Sequence, residues 1–254
     1  MTDSPRSMHS HLSRSSRDRI SIRGADLTDD LMGKVNLGDM AFLELMGRIP
    51  DEGESRVFNA MLVALVEHGI TPSTLAARLT YLGAPEALQG AVAAGVLGLG
   101  SVFVGTIEGA ARMLQEAPLD TAAHARDVAA SIVARHREEG KSIPGLGHPI
   151  HTPVDPRATR LFTLAQEAGL SGRYVDLMHL IAEEAERALG RRLPINVTGA
   201  VGALASEMRI PWRICRGLGL MARPIGLVAH LLEEMQEPMA RHVWEWAEEQ
   251  VEEG

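Results

Sequence analysis

The sequence predicts an all-α protein, and three observations carry that prediction. Apolar residues recur at helical spacing along most of the chain, and strand-like alternation is confined to Ile20–Arg23. The 45% apolar content comes from Ala, Leu, Val, Met and Gly, with only nine Phe, Tyr and Trp residues, and small side chains let helices approach closely. Caps followed by periodic runs account for well over half of the 254 residues, against about a third in an average globular protein.

Residues 1–24 are polar and rich in Ser and Arg; they read as a mobile N-terminal arm without the apolar run of a secretory signal. Asp51-Glu52-Gly53-Glu54 places acids at a helix N-terminus, and Val57, Met61, Leu62 and Leu65 follow on one face. His68 and Gly69 close that helix. Thr71-Pro72 reads as an N-cap with proline at the first helical position, opening a helix to about Leu82. From Ala87 to Ile107 there is no charge, a stretch long enough to test as a membrane span. Five glycines interrupt it, and no aromatic belt or basic flank borders it, so it reads as a buried helix, a break at Gly98–Gly100, and the start of another helix. Amphipathic helices are expected over Thr106–Glu116 and Asp120–Glu139. Asp155-Pro156 opens a helix to Ala168, Tyr174–Leu189 ends at Gly190, and Asn196–Met208, Trp212–Met235 and Pro238–Glu252 complete the set.

The composition excludes several function classes. A lone cysteine, Cys215, excludes a disulfide framework and a cysteine-based zinc knuckle. With 25 Lys+Arg against 33 Asp+Glu, a net charge of −8, the chain lacks a general nucleic-acid-binding surface. The expected compartment is the cytoplasm.

Two segments break the helical pattern, Lys141–Pro153 and Arg191–Thr198, and loops held between helices are where binding groups are commonly displayed. His148 and His151 form H-x-x-H, but with Pro149 between them, and H-E-x-x-H occurs nowhere; no metal is expected. Gly145-x-Gly147 has no preceding strand and no following Lys-Ser/Thr, which excludes Walker and Rossmann loops and leaves a glycine loop whose backbone can approach a ligand. Arg157 lies on the first turn of a helix, where a cation opposes the dipole unless an anion accompanies it. His68 suits a helix C-terminus. Arg223 lies inside the apolar helix Leu218–Leu232, and Arg241 and His242 follow a proline. Together these oddly placed arginines and histidines suit a small polycarboxylate, since guanidinium forks grip carboxylates. Singly, each also reads as an exposed or capping residue.

The segments V-E-H-G-I-T-P-S (66–73), G-L-G-S-V-F-V-G (98–105), P-G-L-G-H-P-I-H-T-P-V-D-P-R (144–157), P-I-N-V-T-G (194–199) and M-A-R-P-I-G-L-V-A-H (221–230), with F-L-E-L-M-G-R-I-P (42–50) upstream, resemble citrate synthase. The length and the ending M-A-R-H-V-W-E-W (239–246) are closer to citryl-CoA lyase and to the citrate synthase-like module of ATP-citrate lyase. The resemblance covers about residues 25–250. It implies a citrate synthase-like multi-helical fold, with a large domain over about 25–115 and 210–254 and an abbreviated small domain over about 116–209.

The resemblance also implies roles. His148 would polarise the keto carbonyl, and His68 would stabilise the enol of the thioester. Arg157 and Arg223 would grip substrate carboxylates, and Arg241 would reach across a homodimer interface. Ile143, Pro144, Gly145, Leu146 and Gly147 would line the adenine end of coenzyme A, with Lys141 on a phosphate. The implied chemistry is reversible cleavage of citryl-CoA, or a close analogue, to acetyl-CoA and oxaloacetate, with acyl-CoA and keto acid as small-molecule partners of a homodimer or higher homo-oligomer. One residue departs from the family pattern: Asn196-Val197-Thr198 places Thr198 where the family carries an aspartate base. A threonine hydroxyl is not a general base near neutral pH, and losing a base costs about 10²–10⁴ in rate. Glu183, Glu184 or Glu207 could replace it, a histidine or the substrate could take the proton, or the chain could be a catalytically weak acyl-CoA- and polycarboxylate-binding homologue.

Overall fold

Side-chain caps set where the chain turns helical in the computed structural model, which describes residues 9–119, 124–147 and 153–251. Within the segment expected as an arm, β1 (Ser13–Ser15) and β2 (Ile20–Ile22) form a small antiparallel sheet with β3 (Ala25–Asp26), just beyond it, in that order. Arg23 and Gly24, both at positive φ, make the two-residue turn between β2 and β3. The Arg23 guanidinium then donates to the Glu44 carbonyl, which ties the sheet to the first helix.

Asn36 caps α1 (Leu37–Met46), and Asp51 with Glu54 forms a reciprocal capping box on α2 (Glu52–Val66). Thr71 and Pro72 open α3 (Pro72–Gly83) as the sequence predicts. α4 (Leu88–Leu97) is followed by a wide helical turn, Gly100–Val104, and then α5 (Gly105–Gln115). The helices on either side of this break are inclined by 61°, and among the described residues no single helix is long and apolar enough to cross a membrane. α6 (Ala125–Glu138) and α7 (Pro156–Glu167), the latter capped by Asp155, precede α8 (Arg173–Leu189), which ends on left-handed Gly190. α9 (Val197–Glu207), α10 (Trp212–Gln236) and α11 (Ala240–Glu249) complete an all-α fold that is 68% helical.

α9 runs through the middle, and every residue from Gly199 to Ser206 is buried. Its small side chains explain the aromatic-poor composition. A Cβ on Gly202 would stand 2.8 Å from the Ala110 Cβ and 2.9 Å from the Ala111 nitrogen, so α5 and α9 meet at backbone distance. Overpacking such a contact costs about 1–3 kcal/mol. α7 and α8 also pack on α9, and α10 covers α2 and α5. A second cluster, Ala77, Ala91, Leu227 and Leu231, joins α3 and α4 to α10. On the outer side of α10, Ile214, Met221, Ile225, Val228, Leu232 and Met235 recur every three, four or seven residues, as one stripe 37% to 55% exposed.

Candidate functional site

Two groups of polar residues stand out, and α9 is packed against elements of both. The first centres on Asp155, whose carboxylate is wholly buried. It accepts from the Arg157 backbone N–H at 3.0 Å, from Arg157 Nε at 3.1 Å and Nη2 at 2.9 Å, and from the Val197 N–H at 2.9 Å. Burial pushes the Asp155 carboxyl up, but the Arg157 guanidinium and the two N–H donors outweigh it and hold the group below the ordinary carboxylate range. One carboxylate thus fastens the start of α7 to the start of α9 and sets the direction of the Arg157 fork. The anion that the sequence requires beside Arg157 is in part Asp155 itself.

Asn196 supplies the second fastening. Its Oδ1 caps α9 by accepting from the Thr198 and Gly199 N–H groups, and its Nδ2 donates to the Gly147 carbonyl at 2.7 Å. The Thr198 hydroxyl donates to the same Oδ1 at 2.7 Å, so its proton is committed there. The loop is pressed against this helix end. Asn196 N–H donates to the Gly145 carbonyl, Gly147 N–H donates to the Pro194 carbonyl, and a Cβ on Gly145 would lie 2.5 Å from the Gly199 Cα. Only glycine at both 145 and 199 permits that approach. Ile143 is buried beneath the loop, while Lys141 is exposed and pairs with Glu139 at 2.8 Å. Beside the loop, a cleft of about 270 Å³ opens between Phe162, His179, Glu183, Arg192 and Ile195.

The second group lies where α2 ends against α10. Arg223 reaches it from α10 with a buried Nη1 that has no hydrogen-bond partner among the described residues. Burial pulls its pKa down, and the Glu67 carboxylate works in the other direction. Glu67 Oε1 accepts from the His68 N–H at 2.8 Å, the Gly69 N–H at 2.5 Å and His230 Nε2 at 3.0 Å. Gly226 lets the helices close here, since a Cβ would meet the Val66 carbonyl oxygen at 2.3 Å. A buried guanidinium N–H without an acceptor is costly, and a bound carboxylate would satisfy it.

The structure therefore brings Arg157, Thr198 and Gly145–Gly147 together at one helix end, and His68 with Arg223 at another. His148 and His151 lie outside the described residues. Arg241 stands exposed on α11, its guanidinium 3.9 Å from Glu245. None of the three glutamates considered as a substitute base is free beside Thr198. Glu207 accepts from the Tyr174 and Val175 N–H groups at the far end of α9, about 13 Å along the helix from Thr198. Glu183 and Glu184 pair with Arg126 and Arg187. Burial pushes the Cys215 thiol up to about 12, which excludes it as a nucleophile. Among the described residues no group of three or more His, Cys, Asp or Glu is placed to hold a metal. Sequence reasoning assigned no role in the site to Asp155, Asn196, Glu67 or His230. Asp155 had a signal, a carboxylate two residues before an arginine at a helix start.

Comparison with known proteins identifies the family and the fold. The family model for the citrate synthase C-terminal domain matches residues 35–243. Citryl-CoA lyase from Hydrogenobacter thermophilus is 35% identical over 98% of this chain and 95% of that one, with a TM-score of 0.87. ATP citrate lyase from Methanothrix soehngenii, in complex with citrate and coenzyme A, shares the fold at 23% identity over 92% of this chain and 40% of that one, with a TM-score of 0.76. ATP-citrate synthase subunit 1 from Sordaria macrospora is 25% identical over 87% of this chain and 35% of its own length. The chain spans between about a third and a half of the length of the first curated relatives it matches. The chain belongs to the citrate synthase family.

Proposed function

We propose that the protein is a carbon–carbon lyase that cleaves citryl-CoA, or a close 2-hydroxyacyl-CoA analogue, to acetyl-CoA and oxaloacetate, and that the same site runs the reverse condensation. The observation that carries this reading is the nearly end-to-end match, on both chains, with a citryl-CoA lyase. The Arg223 N–H that has no partner among the described residues supports it, because a polycarboxylate would satisfy a buried guanidinium.

In this reading Arg157 and Arg223 hold the substrate carboxylates, and His68 steadies the thioester oxygen as it takes enolate charge. His148 takes the proton of the tertiary hydroxyl. The bond between the hydroxyl-bearing carbon and the acyl methylene then breaks, the hydroxyl oxygen becomes the keto oxygen of oxaloacetate, and the methylene carbanion regains a proton to become the acetyl methyl. Atoms and protons balance without a further reactant. Lys141 and the backbone of Ile143–Gly147 lie along coenzyme A. The Thr198 hydroxyl cannot carry the proton of the acyl methylene in either direction, so in this reading His148 returns the proton taken from the hydroxyl to the methylene carbanion, and removes it again in the reverse condensation.

A second copy of the chain completes the site. The apolar stripe of α10 is the surface on which it packs, and Arg241, exposed on the neighbouring α11, serves the partner's substrate. The test is turnover of citryl-CoA, read as oxaloacetate release by coupled reduction with NADH. The wild type is expected to turn over, and Thr198→Asp to be slower, since its carboxylate would face the Asn196 Oδ1 acceptor. An inert wild type that Thr198→Asp makes active would overturn the reading in favour of a catalytically weak binding homologue.

A further inference from the structure

A second deeply buried charge lies outside both groups described so far. Arg78, on α3, is 1% exposed and is the largest fully buried side chain among the described residues. Its Nη1 donates to Glu234 at 2.8 Å, and its Nη2 donates to Glu233 and to His230 Nδ1, the latter at 2.9 Å. Glu234 is itself buried and accepts from the Met239 and Ala240 N–H groups at the start of α11. Ion pairs placed this deep are expensive to assemble and bring little net stability, so their geometry asks for another reason.

The hydrogen-bond inventory supplies it. A guanidinium has donors and no acceptor, so the His230 Nδ1 facing Arg78 must accept. The imidazole proton is thereby assigned to Nε2, which donates to Glu67 Oε1 at 3.0 Å. That same oxygen receives the N–H groups of His68 and Gly69. A directed chain therefore runs from a buried guanidinium through an imidazole and a carboxylate to the backbone turn that carries His68. The reverse tautomer would set an N–H against a guanidinium and a lone pair against a carboxylate, breaking the chain at two links.

We propose that Arg78 is a positioning residue for the acyl-CoA end of the site: it fixes the Nε2–H tautomer of His230, which orients Glu67 and so holds the His68–Gly69 turn in place beside Arg223. This rests on the lyase reading for the identity of the substrate, while the tautomer and its dependence on Arg78 are independent of it. Through Glu234 the same guanidinium also anchors the first turn of α11, the helix that bears Arg241. One buried residue is thus bonded toward both ends of the proposed site.

The test combines nitrogen-15 NMR of histidine-labelled full-length protein with steady-state cleavage of citryl-CoA. The wild type is expected to show His230 as the Nε2–H tautomer, and Arg78→Met to lose that tautomer. kcat should fall ten- to a hundredfold in Arg78→Met, while KM for citryl-CoA moves less than about threefold, because the coenzyme loop lies on other elements. His230→Leu should reproduce the loss, and His230→Gln, which retains an N–H toward Glu67, should recover most of kcat at a Tm no higher than that of His230→Leu. If Arg78→Met does not fold, the two His230 variants carry the test alone. An Nδ1–H tautomer in the wild type overturns the proposal, as does a folded Arg78→Met with unchanged kcat, or His230→Gln as slow as His230→Leu. If the wild type cleaves no citryl-CoA, the lyase reading fails, and the NMR arm still decides whether Arg78 sets the tautomer.

Discussion

Replacing Asp155 with asparagine tests how the site is held together. The carboxylate is fully buried, carries two side-chain bonds from Arg157, and is the acceptor for the first N–H of α9. Asparagine keeps the shape and one acceptor, but it removes the charge and can turn an NH2 toward a guanidinium. Breaking a buried pair from one side costs about 3–5 kcal/mol. Arg157 remains 22% exposed and can partly rehydrate, so we expect a loss of roughly 2–4 kcal/mol at pH 7. Because the folded carboxyl is more acidic than the unfolded one, whose ordinary value is 3.8, its contribution is complete above that value and drains away as pH falls through the lower folded value. Urea unfolding of both proteins at pH 7 and pH 3, read by circular dichroism, gives the difference directly. It should shrink from pH 7 to pH 3. A loss under about 0.5 kcal/mol at pH 7, the level of an ordinary surface substitution, or a difference that does not shrink with acid, would refute Asp155 as the fastening between α7 and α9.

Gly199→Ala should force the Gly145 carbonyl away, since the new Cβ would stand 2.5 Å from that oxygen; we expect about 1–3 kcal/mol of destabilisation and weaker coenzyme A binding by calorimetry, and unchanged affinity would contradict the loop's assignment. Arg223→Met should leave Tm unchanged or raised, because it removes a buried N–H with no partner, yet abolish the Tm increase produced by oxaloacetate or citrate; a retained ligand shift would remove Arg223 from the site. Under the dimer proposed above, Val228→Glu combined with Leu232→Glu, in the exposed stripe of α10, should lower the mass in light scattering to that of one chain and reduce turnover by withholding the partner's Arg241, whereas an unchanged mass would contradict this surface as the interface.

The helices were legible in the sequence because their ends are written in side chains: Asp51 with Glu54, Thr71 with Pro72 and Asp155 with Pro156 each cap the helix they predict. The N-terminal sheet was legible only as the short alternation at Ile20–Arg23, since three strands of two or three residues give almost no periodic signal. In the site, the glycine loop could be found by type and spacing, and Thr198 through the resemblance to the citrate synthase family. The tie from Asn196 Nδ2 to the Gly147 carbonyl could not, because it joins residues 49 apart. Arg78 was invisible for a different reason. An arginine in an amphipathic helix is ordinarily at the surface, and what makes this one buried is the arrival of Glu233, Glu234 and His230 from more than 150 residues away. Arg157 shows the limit in between: its need for an anion is local, and the identity of that anion emerges only once Asp155 is seen folded against both helix starts.

The most direct measurement of the central claim is a product balance. Purified protein in excess over citryl-CoA is quenched at intervals, and acetyl-CoA, oxaloacetate, free coenzyme A and citrate are quantified by mass spectrometry. Carbon–carbon cleavage predicts acetyl-CoA and oxaloacetate appearing one to one with the loss of citryl-CoA, with no citrate or free coenzyme A above the uncatalysed background. Persistence of citryl-CoA, or its conversion to citrate and coenzyme A, would contradict the account.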